Sequence, residues 1–114
     1  MPKKKEFGKD FKYQGTISVL LFPSSRATKK YMAIFYEDGK EFKKVHFGAK
    51  SYEDYTIHND KERKENYLSR HGATEEYIWK TDYTAPATLS RFVLWNLPTL
   101  HASWNDYKQR FNLQ

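Results

Sequence analysis

The chain has 114 residues, no cysteine and a formal net charge of +6. This length suits one domain with a single core, and the lack of cysteine excludes disulfides, thiolate metal sites and a cysteine nucleophile. No stretch approaches the roughly 18 uninterrupted apolar residues of a membrane span, and the charged start lacks the apolar segment of a secretion signal. The sequence therefore predicts a protein that is neither exported nor inserted in a membrane. Its excess of Lys and Arg favours polyanionic partners.

Residues 1–14 are predicted to form a basic, mobile N-terminal arm, and residues 15–114 a single domain. The arm contains five lysines and two acidic residues, and so holds half of the net charge. It has little apolar surface to offset the entropy of ordering. Phe7, Phe11 and Tyr13 leave a second arrangement open, in which the arm docks as an edge segment.

Three β-strands are predicted in the first half of the domain. Thr16–Phe22 and Lys30–Tyr36 are rich in β-branched and aromatic residues, as buried strands are. Asp38-Gly39 predicts a tight hairpin turn into a third strand over Glu41–Phe47, because glycine tolerates the positive φ of such turns. Gly48 is predicted to end that strand.

Two helical segments are predicted next. Ser51 can cap a short turn that reaches Tyr55. Asn59 or Asp60 can cap a longer helix that runs to about His71, where Gly72 supplies the usual stop signal. Residues 73–87 are predicted to be irregular.

The C-terminal part is predicted to be helical. Thr84 or Thr88 can cap a helix that runs through Asn96, and Thr99 can cap the last helix. That last helix has an apolar stripe at helical spacing, formed by Leu100, Trp104, Tyr107 and Phe111. The whole pattern predicts an α+β fold, in which a small antiparallel sheet of about three strands is followed by about three helices packed on one face.

The basic residues suggest binding of nucleic acid through its phosphate backbone. Lysines and arginines neutralise phosphates, and a nearby tyrosine can stack on a base or donate a hydrogen bond to a phosphate. The plain alternative is a set of solvated lysines and a buried arginine. The candidate binding residues are Lys3, Lys4, Lys5, Lys43, Lys44, Lys50, Arg63, Lys64, Tyr67, Arg70 and Arg91.

The sequence is also compatible with two other functions. An interaction module is possible if Trp79, Trp95 and Trp104 leave a ring-rich patch exposed, although such rings more often form the core. A metal-dependent hydrolase would use imidazoles and carboxylates, but these lack a paired-ligand spacing such as H-E-x-x-H. We therefore expect no enzyme activity, metal or cofactor. The groups considered as ligands are His46, Asp54, His58, Asp60 and His71.

The strings VHFGAKSYEDYTIHND, YLSRH, LSRFVLWNLPTL and DYKQRF resemble a family of small basic proteins of unknown function encoded by large double-stranded DNA viruses of eukaryotes. The likeness covers roughly Val45 to Phe111. The matching residues are His46, Phe47, Gly48, Asp54, Tyr55, Thr56, His58, Asp60, Arg63, Tyr67, Arg70, His71, Ser90, Arg91, Leu94, Trp95, Asn96 and Pro98.

This resemblance implies a viral origin. It implies a virion-associated protein, present in the host cytoplasm or nucleus during infection, whose partner is nucleic acid, DNA in the first place. It also implies the alternative of a minor capsid or core protein that contacts other virion proteins.

Overall fold

The structure, a computed structural model, describes residues 17–114. The predicted basic arm, with Lys3, Lys4 and Lys5, lies outside the described residues.

Three antiparallel strands form a sheet in the order β1-β2-β3, as predicted. They are β1 (Ile17–Pro23), β2 (Lys29–Glu37) and β3 (Lys40–Ala49). Asp38 and Gly39 join β2 to β3 with φ angles of 51° and 83°, which match the twist of a tight hairpin. The predicted hairpin is therefore confirmed.

Gly48 does not end β3, contrary to the prediction, because the strand continues to Ala49. The residue has a φ of +82°, and a Cβ atom placed on it would lie 2.8 Å from Leu94 Cδ1. Glycine is therefore needed here for two reasons: its backbone conformation, and the close approach of Leu94 to the sheet.

Two helices follow the sheet. Helix α1 (Tyr55–His58) begins after Asp54, whose side chain accepts a hydrogen bond from Thr56 N, and not after Ser51. Helix α2 (Lys61–Thr81) is capped by Asp60, whose side chain accepts hydrogen bonds from the backbone N–H groups of the first turn.

Helix α2 does not stop at Gly72, and the predicted irregular segment after it is helical as far as Thr81. A glycine inside a helix costs only about 1 kcal/mol. Here the indole of Trp79 packs beside Gly72, at an ordinary van der Waals distance of 3.6 Å from where a Cβ of Gly72 would be. Packing against a buried tryptophan therefore overrides the stop signal.

The remaining helices are α3 (Pro86–Leu89), which continues into a π-helix (Ser90–Leu94), and α4 (Leu100–Arg110). Neither Thr84 nor Thr88 caps α3. Pro86 starts it, since proline has a suitable φ and lacks only an N–H that would be unpaired there. Thr99 caps α4 as predicted, by accepting a hydrogen bond from Ala102 N.

The helices cover one face of the sheet, so the α+β prediction is confirmed. Ala33, Phe35 and Phe47 point from the sheet into the core and are at most 1% exposed. The other face keeps Leu20 and Phe22 at 49% and 39% exposure.

The edge of β1 pairs with the end of the chain. The N–H of Gln114 donates to the Ile17 carbonyl, and the N–H of Val19 donates to the Gln114 carbonyl, both at 3.0 Å. Over residues 17–114, no helix has the length and apolar character needed to cross a membrane.

Candidate functional site

A cleft of about 730 Å³ lies between one end of the sheet and helix α2. Its walls come from the start of β2, the end of β3, the loop before α1, the α2 side chains from Arg63 to Glu75, α3, and both ends of the π-helix. We call it the α2 cleft. Its charged lining residues are Lys29, Lys30, Glu53, Asp54, Arg63, Arg70 and Glu75, with His71 beside them.

Asp54 organises the sheet side of the α2 cleft. This carboxylate is 2% exposed, forms an ion pair with Lys30 and caps α1. Its oxygens also accept hydrogen bonds from the N–H and the hydroxyl of Thr56. A buried carboxylate whose oxygens are occupied by this many donors serves the architecture of the site.

Arg63 and His71 each face an acidic partner in the α2 cleft. Arg63 lies 3.2 Å from Glu53, and both side chains are about half exposed. His71 Nδ1 lies 2.9 Å from Glu75 Oε2, one helical turn further along α2. Exposed pairs of this kind contribute only about 0–1 kcal/mol, so a ligand with a stronger negative charge can displace the Arg63 pair.

Lys29 and Arg70 are the lining cations that have no ion-pair partner within residues 17–114. Lys29 comes from the first position of β2, and Arg70 from the middle of α2. The backbone of Lys50 is held nearby, because its N–H donates to the Thr28 carbonyl at 2.9 Å. The sheet and the helix thus bring separate positive charges to one opening.

Stacked rings form one wall of the α2 cleft. Tyr67 lies between His71 and Trp95, with ring centroids 4.2 Å and 4.4 Å away, and is 7% exposed. Burial raises the pKa of its hydroxyl above the ordinary value, and the charge of Glu75 raises it further, so the phenol stays neutral. Because both ring faces are covered, Tyr67 cannot stack on a base in this conformation. The exposed ring at the cleft is Tyr52, at 74%.

The hairpin lysines lie outside the α2 cleft. Lys43 donates to Thr84 Oγ1 at 3.0 Å, and Lys44 faces Glu41 on the other side of the sheet. The rise along a strand separates Lys43 from Lys50 by about 20 Å. One compact ligand therefore cannot contact the whole set of predicted binding residues.

Lys64 and Arg91 are bound to the protein itself. Lys64 Nζ donates to the Asn96 carbonyl at 2.6 Å and lies over the Tyr55 ring. Arg91 donates to the Trp95 carbonyl at 2.9 Å, with its guanidinium 4.8 Å from the centroid of Phe92. Burial lowers the pKa of both side chains. Both cations have structural partners, so of the predicted α2 residues the structure brings Arg63, Tyr67 and Arg70 together.

The histidines and acids weighed as metal ligands are dispersed. His46 pairs with Ser24 Oγ on the outer face of the sheet, and Asp60 caps α2. His58 packs 5.4 Å from the Trp95 ring. Across the described part of the chain, no group of three or more His, Asp or Glu side chains could hold a metal ion.

Sequence reasoning missed Lys29 and Glu75. The hairpin register pairs Lys29 with Ala49, so extending the predicted hairpin would have brought Lys29 next to the loop that precedes α1. Glu75 stands four residues after His71, the spacing of neighbours on one helix face. It was overlooked because the helix was ended at Gly72.

The fold and the cleft define a small α+β protein with a basic, ring-walled opening at one end of its sheet. A model of a family of unknown function (DUF5754) matches residues 19–71, from β1 to the middle of α2. Over that part the chain is similar to the family, and the matched region includes the sheet side of the α2 cleft together with Arg63 and Arg70. Comparison with curated proteins and with solved structures gave no match.

Proposed function

We propose that this protein binds nucleic acid through its phosphates, with the α2 cleft as the centre of contact. The observation that carries the proposal is the convergence of Arg63 and Arg70 from α2 with Lys29 from β2 in one opening. The two arginines are seven residues apart, so they lie about 10 Å from each other along the helix axis. Cations at such separations can contact different phosphates of one strand.

Salt dependence tests this function. Binding of a fluorescent oligonucleotide, followed by anisotropy, is expected to weaken strongly between about 50 mM and about 200 mM salt. The double variant Arg63→Gln/Arg70→Gln is expected to bind more weakly and to reduce the slope of log affinity against log salt by about two.

A matched control removes two charges elsewhere. Lys80 pairs with Glu76 on the far half of α2, and Lys108 lies on α4, so Lys80→Gln/Lys108→Gln has the same net charge as the cleft variant. It is expected to bind like the parent protein. Binding that ignores salt, or an equal loss in both double variants, would contradict the proposal.

A viral origin and a place in the virion form part of this proposal, and they are supported only by the resemblance of the sequence motifs. The alternative is a minor structural protein that contacts other proteins. The exposed Leu20 and Phe22 on the outer face of the sheet favour it, since apolar patches can anchor interfaces. Light scattering and pull-downs with Leu20→Ser/Phe22→Ser test it. A monodisperse monomer that captures no protein partner would contradict this alternative.

A further inference from the structure

We infer that the α2 cleft receives a single nucleotide, whose phosphate binds Lys29 and Arg70 and whose sugar or base donates a hydrogen bond to Glu75. This inference rests on the proposed function and narrows it from a strand to one residue of that strand. The ligand class is a phosphate ester of a nucleoside, either free or at the end of a chain.

The charge balance of the α2 cleft limits how many phosphates it can hold. Of the residues that the structure describes, four cations and three carboxylates line it. Lys30 and Arg63 are paired with Asp54 and Glu53, which leaves Lys29 and Arg70 as the two lining cations without an ion-pair partner among residues 17–114. Two unpaired cations suit one phosphate group. A strand would bring a second phosphate to Arg63 and displace Glu53 from its half-exposed pair.

The size and walls of the cleft suit a ligand larger than phosphate alone. Its volume of about 730 Å³ falls within the range of about 300–1,000 Å³ typical of small-molecule sites. Phe47, Leu94 and Trp95 supply apolar and aromatic lining, and Tyr52 at the rim is 74% exposed. An exposed ring beside a basic opening is a platform on which a base can stack.

Glu75 determines which end of the nucleotide can lie on its side of the α2 cleft. Its Oε2 contacts His71, while its Oε1 is buried and has no hydrogen-bond partner in the described part of the chain. A carboxylate oxygen accepts hydrogen bonds and repels a phosphate, so the group that meets it must be a hydroxyl or an amino group. Glu75 lies about 7 Å from Arg70 along the helix axis. A nucleotide carries its phosphate at one end and such donors further along.

Titration calorimetry on the full chain tests the site with five probes: adenosine 5′-monophosphate, thymidine 5′-monophosphate, the two corresponding nucleosides, and inorganic phosphate. We expect at least one monophosphate to bind with one-to-one stoichiometry and to displace the fluorescent oligonucleotide. The nucleosides and inorganic phosphate are each expected to bind at least about tenfold more weakly than the monophosphate. The nucleosides lack the phosphate that contacts the cations, and inorganic phosphate lacks the group that donates to the Glu75 carboxylate.

Two variants separate the two ends of the ligand. Arg70→Gln is expected to weaken the binding of both the monophosphate and inorganic phosphate by about tenfold. Glu75→Gln is expected to reduce the preference for monophosphate over inorganic phosphate, because it removes a charged acceptor and a repulsive charge together. The matched control is Glu76→Gln, the next residue, which is exposed and pairs with Lys80; it should leave that preference unchanged. An equal effect of Glu75→Gln and Glu76→Gln would overturn the role of Glu75.

The strand and nucleotide experiments distinguish this inference from the proposed function. If the oligonucleotide binds with salt dependence but no mononucleotide binds or displaces it, the single-nucleotide site is wrong and the proposed function stands. If mononucleotides bind and oligonucleotides do not, the cleft is a site for free nucleotides and the proposed binding of nucleic acid is wrong. Tighter binding of a 5′-phosphorylated strand than of its unphosphorylated form would show that the nucleotide in the cleft is the end of a strand. Failure of every probe would overturn both.

Discussion

The α2 cleft and the region around the π-helix both contain cationic side chains, but these are held in opposite ways. In the cleft, Lys29 and Arg70 have no ion-pair partner among residues 17–114, and Arg63 has an exposed one. Around the π-helix, Lys64 and Arg91 donate to backbone carbonyls and lie against aromatic rings. We call Lys64 and Arg91 the anchored cations.

This contrast separates binding from stability in a chain where both depend on Lys and Arg. An anchored cation satisfies a carbonyl that few other groups can reach, so its loss leaves a polar atom unpaired. We call Lys29, Arg63 and Arg70 the cleft cations. Water can replace the contacts of a cleft cation when that side chain is removed, so its loss costs little stability. Arg63 and Lys64 are adjacent in sequence and fall into different classes, because neighbours on a helix point about 100° apart.

The largest expected effect links the two regions through Gly48. Gly48→Ala should lower the free energy of unfolding by about 1–2 kcal/mol for the positive φ, and by about 1–3 kcal/mol more for the contact with Leu94. Gly39→Ala is the control, since its φ is +83° but no atom lies within 4 Å of the added Cβ. Urea unfolding of both variants measures the difference. Equal losses would show that Gly48, near the end of β3, and Leu94 of the π-helix are not in tight contact.

The second prediction concerns an anchored cation. Arg91→Leu should destabilise the protein by about 2 kcal/mol, because the Trp95 carbonyl loses a charged donor and the Trp79 and Phe92 rings each lose a contact with the Arg91 guanidinium. Oligonucleotide binding should be unchanged under conditions where the variant is folded. A loss of binding without a loss of stability would move Arg91 to the class of the cleft cations.

The third prediction concerns a cleft cation. Arg63→Gln should change the free energy of unfolding by less than about 0.5 kcal/mol, because its pair with Glu53 is half exposed. Thermal unfolding of this variant beside Lys64→Met, whose lysine is anchored, makes the comparison direct. If Arg63→Gln proves the more destabilising of the two, the division into two classes fails.

The smallest expected effect is a pH dependence from His46, which belongs to neither region. Partial desolvation lowers its pKa below 6.5, and the charges of Arg26 and Lys44 lower it further. The folded state therefore binds fewer protons than the unfolded state in the window just below pH 6.5. Stability should fall as the pH drops through that window and level off below the folded pKa. His46→Gln should remove this slope in urea midpoints measured across the window, and identical slopes in both proteins would contradict the prediction.

The sequence predicted the sheet better than the cleft. The hairpin and the Asp60 and Thr99 caps depend on short-range chemistry that is visible in a few adjacent residues. The length of α2 depends on Trp79 packing beside Gly72, and the cleft depends on Lys29 meeting Arg70 from a distant part of the chain. Those are tertiary contacts, which periodicity and stop signals do not report. Arg63 and Arg70 were found because they are basic, whereas the anchoring of Lys64 and Arg91 depends on carbonyls that only the fold brings near.

The pairing of Gln114 with β1 has a consequence for how the chain is threaded. Residues 17 and 114 are neighbours in space although the whole described chain separates them, so we expect this edge of the sheet to form after the local hairpins. The same pairing protects two amide hydrogens from solvent. Those of Val19 and Gln114 should exchange with deuterium more slowly than that of Ser25 in the exposed turn after β1, and equal exchange rates would contradict a stable pairing.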